Sequence, residues 1–137
     1  MIAPLPSPEG SMNNARLQQL LEQHAEEVTG PAGHWQMVYQ SQHVICMTDE
    51  SNDRMRFISP VIKVDDLTQE QAVRCMHANF SHALDARYCI HDGVLWAAFI
   101  HPLSELSPEF ALDGLAQTVT LVKNFGTTYS SGDLAFQ

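Results

Sequence analysis

The sequence predicts a single α+β domain, ordered α-β-β-β-α-β-β-α, in which a five-stranded antiparallel sheet has helices packed against it. Two patterns predict it. Segments with one apolar stripe at helical spacing alternate with segments that repeat every second residue. The first strand-like segments are only two to five residues apart, and a parallel return needs a dozen or more, so neighbouring strands are antiparallel. The size agrees: 137 residues make about one domain, large enough to fold without disulfides or metal.

Residues 1–10 carry Pro4, Pro6, Pro8 and Gly10, which prevents a helix and predicts a loose arm ahead of a domain over 11–137. Ser11 is placed to cap a helix over 12–28, where Leu17, Leu20, Leu21, His24 and Val28 share one narrow stripe; Gly30-Pro31 ends it. Three strands follow. His34–Gln40 puts Trp35, Met37 and Tyr39 on one side, Ser41-Gln42 turns the chain into His43–Thr48, and the acidic loop Asp49–Asp53 turns it into Arg54–Val64. Thr68-Gln69-Glu70-Gln71 is a capping box. It opens a helix to about Asp85 that would bury Val73, Met76, Phe80, Ala83 and Leu84. Arg87–His91 and Val94–His101 flank Asp92-Gly93, a two-residue hairpin turn that needs positive φ at both positions. Ser107-Pro108 caps and starts a last helix to about Phe125, closed by Gly126; Leu134 and Phe136 beyond it could add a short strand or dock.

Two elements are more apolar than one buried face requires. In the last helix Leu112, Leu115, Ala116, Val119 and Val122 form one side, and Phe110, Leu121 and Phe125 another. The strand Val94–His101 has Val94, Trp96, Ala98 and Ile100 on one face and Leu95, Ala97 and Phe99 on the other, where a half-solvated strand would alternate with polar residues. Either these are the central helix and strand of the core, or a second copy or a client peptide covers part of them. A two-fold homodimer is the expected assembly.

Charge excludes some partners. The net charge is −9, of which residues 1–53 contribute −6, with Arg16 their single cation. Nucleic acid and anionic membrane are therefore not expected to bind, and no apolar run approaches the ~18 residues of a membrane span. Cys46, Cys75 and Cys89 form no CxxC, and Met1–Pro6 has neither a basic nor an apolar signal region, so a reducing cytoplasm is expected.

The seven histidines (His24, His34, His43, His77, His82, His91, His101) form no HxxxH or HExxH, and the topology disperses them. His24, on an apolar stripe, is read as a packed neutral imidazole, with a pH-sensitive contact as the alternative. Arg54 and Arg56 project together from one strand; they could grip a carboxylate, though balancing the acidic loop beside them is the simpler role. There is no GxSxG, GxGxxG or phosphate loop. No catalytic residue, metal or cofactor is assigned.

Ala78-Asn79-Phe80 in the middle helix, the hairpin Ala86–Trp96, and His101-Pro102-Leu103-Ser104-Glu105-Leu106-Ser107-Pro108-Glu109 resemble three signatures of the type III secretion chaperone-like fold: an "AN-hydrophobic" motif, a central hairpin and a "PL…(S/T)PE" lead-in to the final helix. The element order agrees over about 12–125 and the motifs over about 76–125. Class I secretion chaperones of this fold are cytoplasmic, non-enzymatic homodimers that hold an effector segment extended. The YbjN-like putative sensory-transduction regulators share it, which leaves a regulatory or adaptor domain binding a folded protein as the alternative. The resemblance implies a polypeptide partner. Trp35, Met37, Leu95, Ala97 and Phe99 are the candidate client contacts, and Phe110, Leu121 and Phe125 the candidate dimer contacts.

Overall fold

A computed structural model describes residues 11–132; the arm over 1–10 and the possible docking of Leu134 and Phe136 lie outside the described residues. The order is α1 (Asn14–His24), β1 (Glu26–Thr29), β2 (His34–Tyr39), β3 (Gln42–Asp49), β4 (Arg54–Lys63), α2 (Gln69–Ser81), β5 (Arg87–His91), β6 (Val94–Pro102) and α3 (Pro108–Lys123). One antiparallel sheet runs β1-β2-β3-β4-β6-β5.

The sheet has six strands, not five. The extra one, β1, comes from residues assigned to the first helix, which ends at His24. Val28 and Thr29 are β-branched and poor helix formers, and β2 offers them a free edge, pairing Glu26 with Val38 and Thr29 with Gln36. The cap of α1 also differs: the Asn13 side chain accepts from the Arg16 amide. His24 is consequently exposed rather than packed.

The other caps and turns follow the sequence. Thr68 and Gln71 close the capping box at 3.1 and 2.9 Å, and Ser107 Oγ accepts from the Phe110 amide with Pro108 in the first turn. Asp92 and Gly93 both have positive φ (51° and 74°); Gln40 and Ser41 form the other tight turn (48° and 68°), one residue earlier than predicted.

Helices α1 and α3 lie on the same face of the sheet. Trp35 Nε1 donates to Gln18 Oε1 of α1, and the Tyr88 hydroxyl donates to Leu121 O of α3 at 2.7 Å. Phe99 packs so closely on α3 that a Cβ at Gly114 would lie 2.7 Å from its ring. This face carries the core: Trp35, Met37, Val44, Cys46, Met55, Phe57, Tyr88, Leu95, Ala97 and Phe99. Helix α2 instead flanks the outer edge of β5.

Candidate functional site

The edge of a sheet leaves backbone groups unpaired, and at β5 a side chain fills that role. Asn79 Nδ2 donates to Tyr88 O at 3.0 Å and its Oδ1 accepts from the Tyr88 amide at 2.8 Å. The carboxamide thus repeats what a further strand would do. Ala78, buried and small, lets the helix approach, and Cys75 packs beside it. This explains two letters of the Ala78-Asn79-Phe80 motif. The third points elsewhere.

Phe80 is 90% exposed, Met76 59% and Val73 47%. These residues do share a stripe, as the periodicity predicts, but it faces away from the protomer. At ~100° per residue the stripe lies roughly opposite Cys75 and Ala78, and Asn79 fixes which side meets the sheet. Of the five residues expected to be buried here, only Ala83 is; Leu84, just past the helix, is exposed at its border.

A second uncovered surface is the sheet face opposite α1 and α3. Register and alternation place Val38, Ile45, Met47, Ile58, Trp96, Ala98 and Ile100 on it. No helix covers it among the described residues; Ile100 is 56% exposed, and Trp96 is half-buried with its Nε1 donating to His91 O at 3.1 Å. The apolar surplus of β6 therefore divides. Leu95, Ala97 and Phe99 face α3 within the protomer, while Trp96 and Ile100 reach the open side.

The candidate client contacts need correction accordingly. Trp35, Met37, Leu95, Ala97 and Phe99 are all core residues, at most 2% exposed. They alternate with the surface residues of the same strands, and alternation alone does not tell which face the helices take. Among the candidate dimer contacts, Leu121 is fully buried. Phe110 packs edge-on against Phe99 and His101, and Phe125 against Tyr88 and Tyr129, leaving each ring partly in solvent. The sequence shows the α2 stripe but assigns it to the core, and it puts Ile100 on one of the two apolar faces of β6 without placing it among the client contacts; nothing local marks the direction of α2.

The titratable groups are dispersed. No cluster of three or more His, Cys, Asp or Glu able to hold a metal occurs among the described residues. Burial holds the Cys46 thiol far above its usual range and pushes Cys75 up to about 11; desolvation also raises Cys89, against a smaller opposing pull from Arg56. Such thiols are poor nucleophiles at neutral pH. The acidic loop is structural. Asp49 accepts from the amide and side chain of Asn52, and Asp53 accepts from the amide and hydroxyl of Ser104 at 2.8 and 2.6 Å, so both carboxyls sit below their ordinary value. No described helix is long and apolar enough to cross a membrane.

No family model and no curated protein matches the chain. Among solved structures it is similar to a chain of the HopA1–SchA chaperone–effector complex, with TM-score 0.61 and 13% identity over 80% of this chain and 88% of that one. It is also similar to a chain of the ExsC–ExsE complex, with TM-score 0.59 and 15% identity over 82% and 92%. On this likeness over four fifths of its length, the chain has the type III secretion chaperone-like fold.

Proposed function

We propose that this chain is a non-enzymatic, homodimeric, cytoplasmic polypeptide-binding protein that acts as a chaperone. The observation that carries the reading is the α2 stripe: Val73, Met76 and Phe80 stand in solvent on a helix whose other side is fixed to β5. A monomer gains nothing by exposing a whole phenylalanine beside two more large apolar side chains. A second copy, related by a two-fold axis, would bury the stripe against itself. The open sheet face, with Ile58, Trp96 and Ile100, is then the surface left for a client, and the likeness to a chain of a chaperone–effector complex supports a protein partner.

Client contact in this reading moves from the buried residues of β2 and β6 to their outward neighbours on β3, β4 and β6. An extended segment would bury its apolar side chains there. The core residues Leu95, Ala97 and Phe99 act only by holding β6 in position.

Light scattering at tens of micromolar should give twice 15.3 kDa. Phe80→Glu should return a folded protomer of half that mass, with unchanged circular dichroism. A monomeric wild-type protein would remove the dimer. Affinity capture should yield a polypeptide shielded from protease over one stretch, and Ile100→Asp should release it. A client held equally well by that variant would remove the sheet face as the binding surface.

A further inference from the structure

The protein is strongly acidic, with 16 carboxylates and 7 Lys/Arg, yet four of those seven cations, Arg54, Arg56, Lys63 and Arg87, fall on the open sheet face. Arg54 and Arg56 alternate with the buried Met55 and Phe57 along β4. Lys63 pairs with Val94 beyond the irregularity at Pro60–Ile62, and Arg87 pairs with Ala98. With carboxylates in more than twofold excess, each cation would be expected to find one. None does: the one ion pair among the described residues is His91 with Asp92 at 3.5 Å.

The charges of Arg54 and Arg56 do lower the carboxyls of Asp53 and Asp49 in the acidic loop, but neither arginine comes within ion-pair distance of a carboxylate among the described residues. Arg54 Nη1 donates to the backbone oxygens of Asn52 and Asp53, and Arg87 Nη1 to those of Leu84 and Ala86. Arg56 makes no hydrogen bond among the described residues; its charge is felt by Asp49 and by Cys89, which lie to either side of it on the same face. The strand acids on this side are Asp49, engaged by Asn52, and Glu26 on β1 at the far edge of the sheet. Arg54, Arg56 and Arg87 therefore gather around Ile58, Ala98 and Ile100, with Lys63 toward the other end of the face.

We infer that the open face selects an extended polypeptide segment in which carboxylates recur every three to four residues among apolar side chains, the carboxylates meeting Arg54, Arg56 and Arg87. This rests on the sheet face being the client surface and adds the chemical class of the client. Geometry sets the spacing. Arg56 pairs with Ile100 and Arg87 with Ala98 across β6, two strand widths and two residues apart, or about 12 Å. That is three to four residues of extended chain at ~3.3 Å each. Charge complementarity also argues against the other occupants. A nucleic acid, with a phosphate at every nucleotide, would place more charge than these cations can meet against a molecule of net charge −9, and a basic segment would meet the arginines themselves.

The test uses the full chain and three fluorescein-labelled twelve-residue peptides of Leu and Val carrying Glu, Gln or Lys at every fourth position, with a twelve-base single-stranded DNA as a fourth probe. Anisotropy at low salt should show the Glu peptide binding about tenfold more tightly than the Gln peptide, and the Lys peptide and DNA weakest. The double variant Arg56→Gln, Arg87→Gln should erase the Glu preference while leaving the Gln peptide's affinity unchanged; both positions are exposed, and circular dichroism checks the fold. Equal affinity for Glu and Gln peptides, or preference for Lys or DNA, overturns the inference and leaves polypeptide binding standing. Failure of every peptide to bind, with Ile100→Asp also without effect on the native client, overturns the sheet-face reading and the inference with it.

Discussion

At the scale of single residues the fold is fixed by a few close or doubly bonded positions. Gly114 is one, because Phe99 occupies the space a side chain would take. Gly114→Ala should lower unfolding free energy by about 1–3 kcal/mol, the usual cost of overpacking, read as a reduced midpoint in urea. Asp53 is another. Its carboxyl is held below the ordinary value chiefly by the Ser104 hydroxyl and amide. A depressed folded value means that the carboxylate stabilises above its unfolded pKa, about 3.9, and that this contribution is lost as pH falls through the folded value. Thermal melts of wild type and Ser104→Ala should therefore differ at pH 7 and converge toward pH 2. Sequence reading gave Asp53 a place in a turn but no partner, since Ser104 lies 51 residues away.

At the scale of elements, the helix wheel found the stripe of α2 and the wrong side of it. Val73, Met76 and Phe80 belong together whichever way the helix turns; the rotation was decided by Asn79 reaching the backbone of Tyr88. Asn79→Ala removes both bonds and should cost about 1–3 kcal/mol, with faster hydrogen exchange at the Tyr88 amide and little change in β2 or β3. For β1 the outcome was set by competition. Glu26-Glu27-Val28-Thr29 continues the apolar period of α1, yet the open edge of β2 offered backbone partners that solvent-exposed helix could not match. By contrast, the Thr68 capping box, the Ser107-Pro108 start and the Asp92-Gly93 turn were legible because each is decided within four residues.

At the scale of the whole molecule, charge and apolar surface oppose each other. Two protomers of net charge −9 repel, while burial of Val73, Met76 and Phe80 is insensitive to screening. The proposed dimer should therefore tighten between 0.05 and 0.5 M NaCl, measured by sedimentation equilibrium; the proposed Glu-peptide preference of the sheet face should weaken over the same range. Opposite salt responses at the two surfaces would separate them without mutation. If the dimer dissociated as salt rose, ion pairs rather than the α2 stripe would hold it.

By itself the sequence determined the element order after β1, the caps of α2 and α3, the Asp92-Gly93 turn and the acidic character, because each depends on neighbours in the chain or on composition alone. It also marked β6 as apolar on both faces. Only the tertiary structure decided which of those faces the helices take, that Trp35, Met37, Leu95, Ala97 and Phe99 are core, and that the α2 stripe looks outward. The physical reason is that periodicity fixes which residues share a side but carries no information about what stands opposite it; that is set by contacts such as Asn79 with Tyr88 and Gly114 with Phe99, between residues distant in sequence or held on different elements.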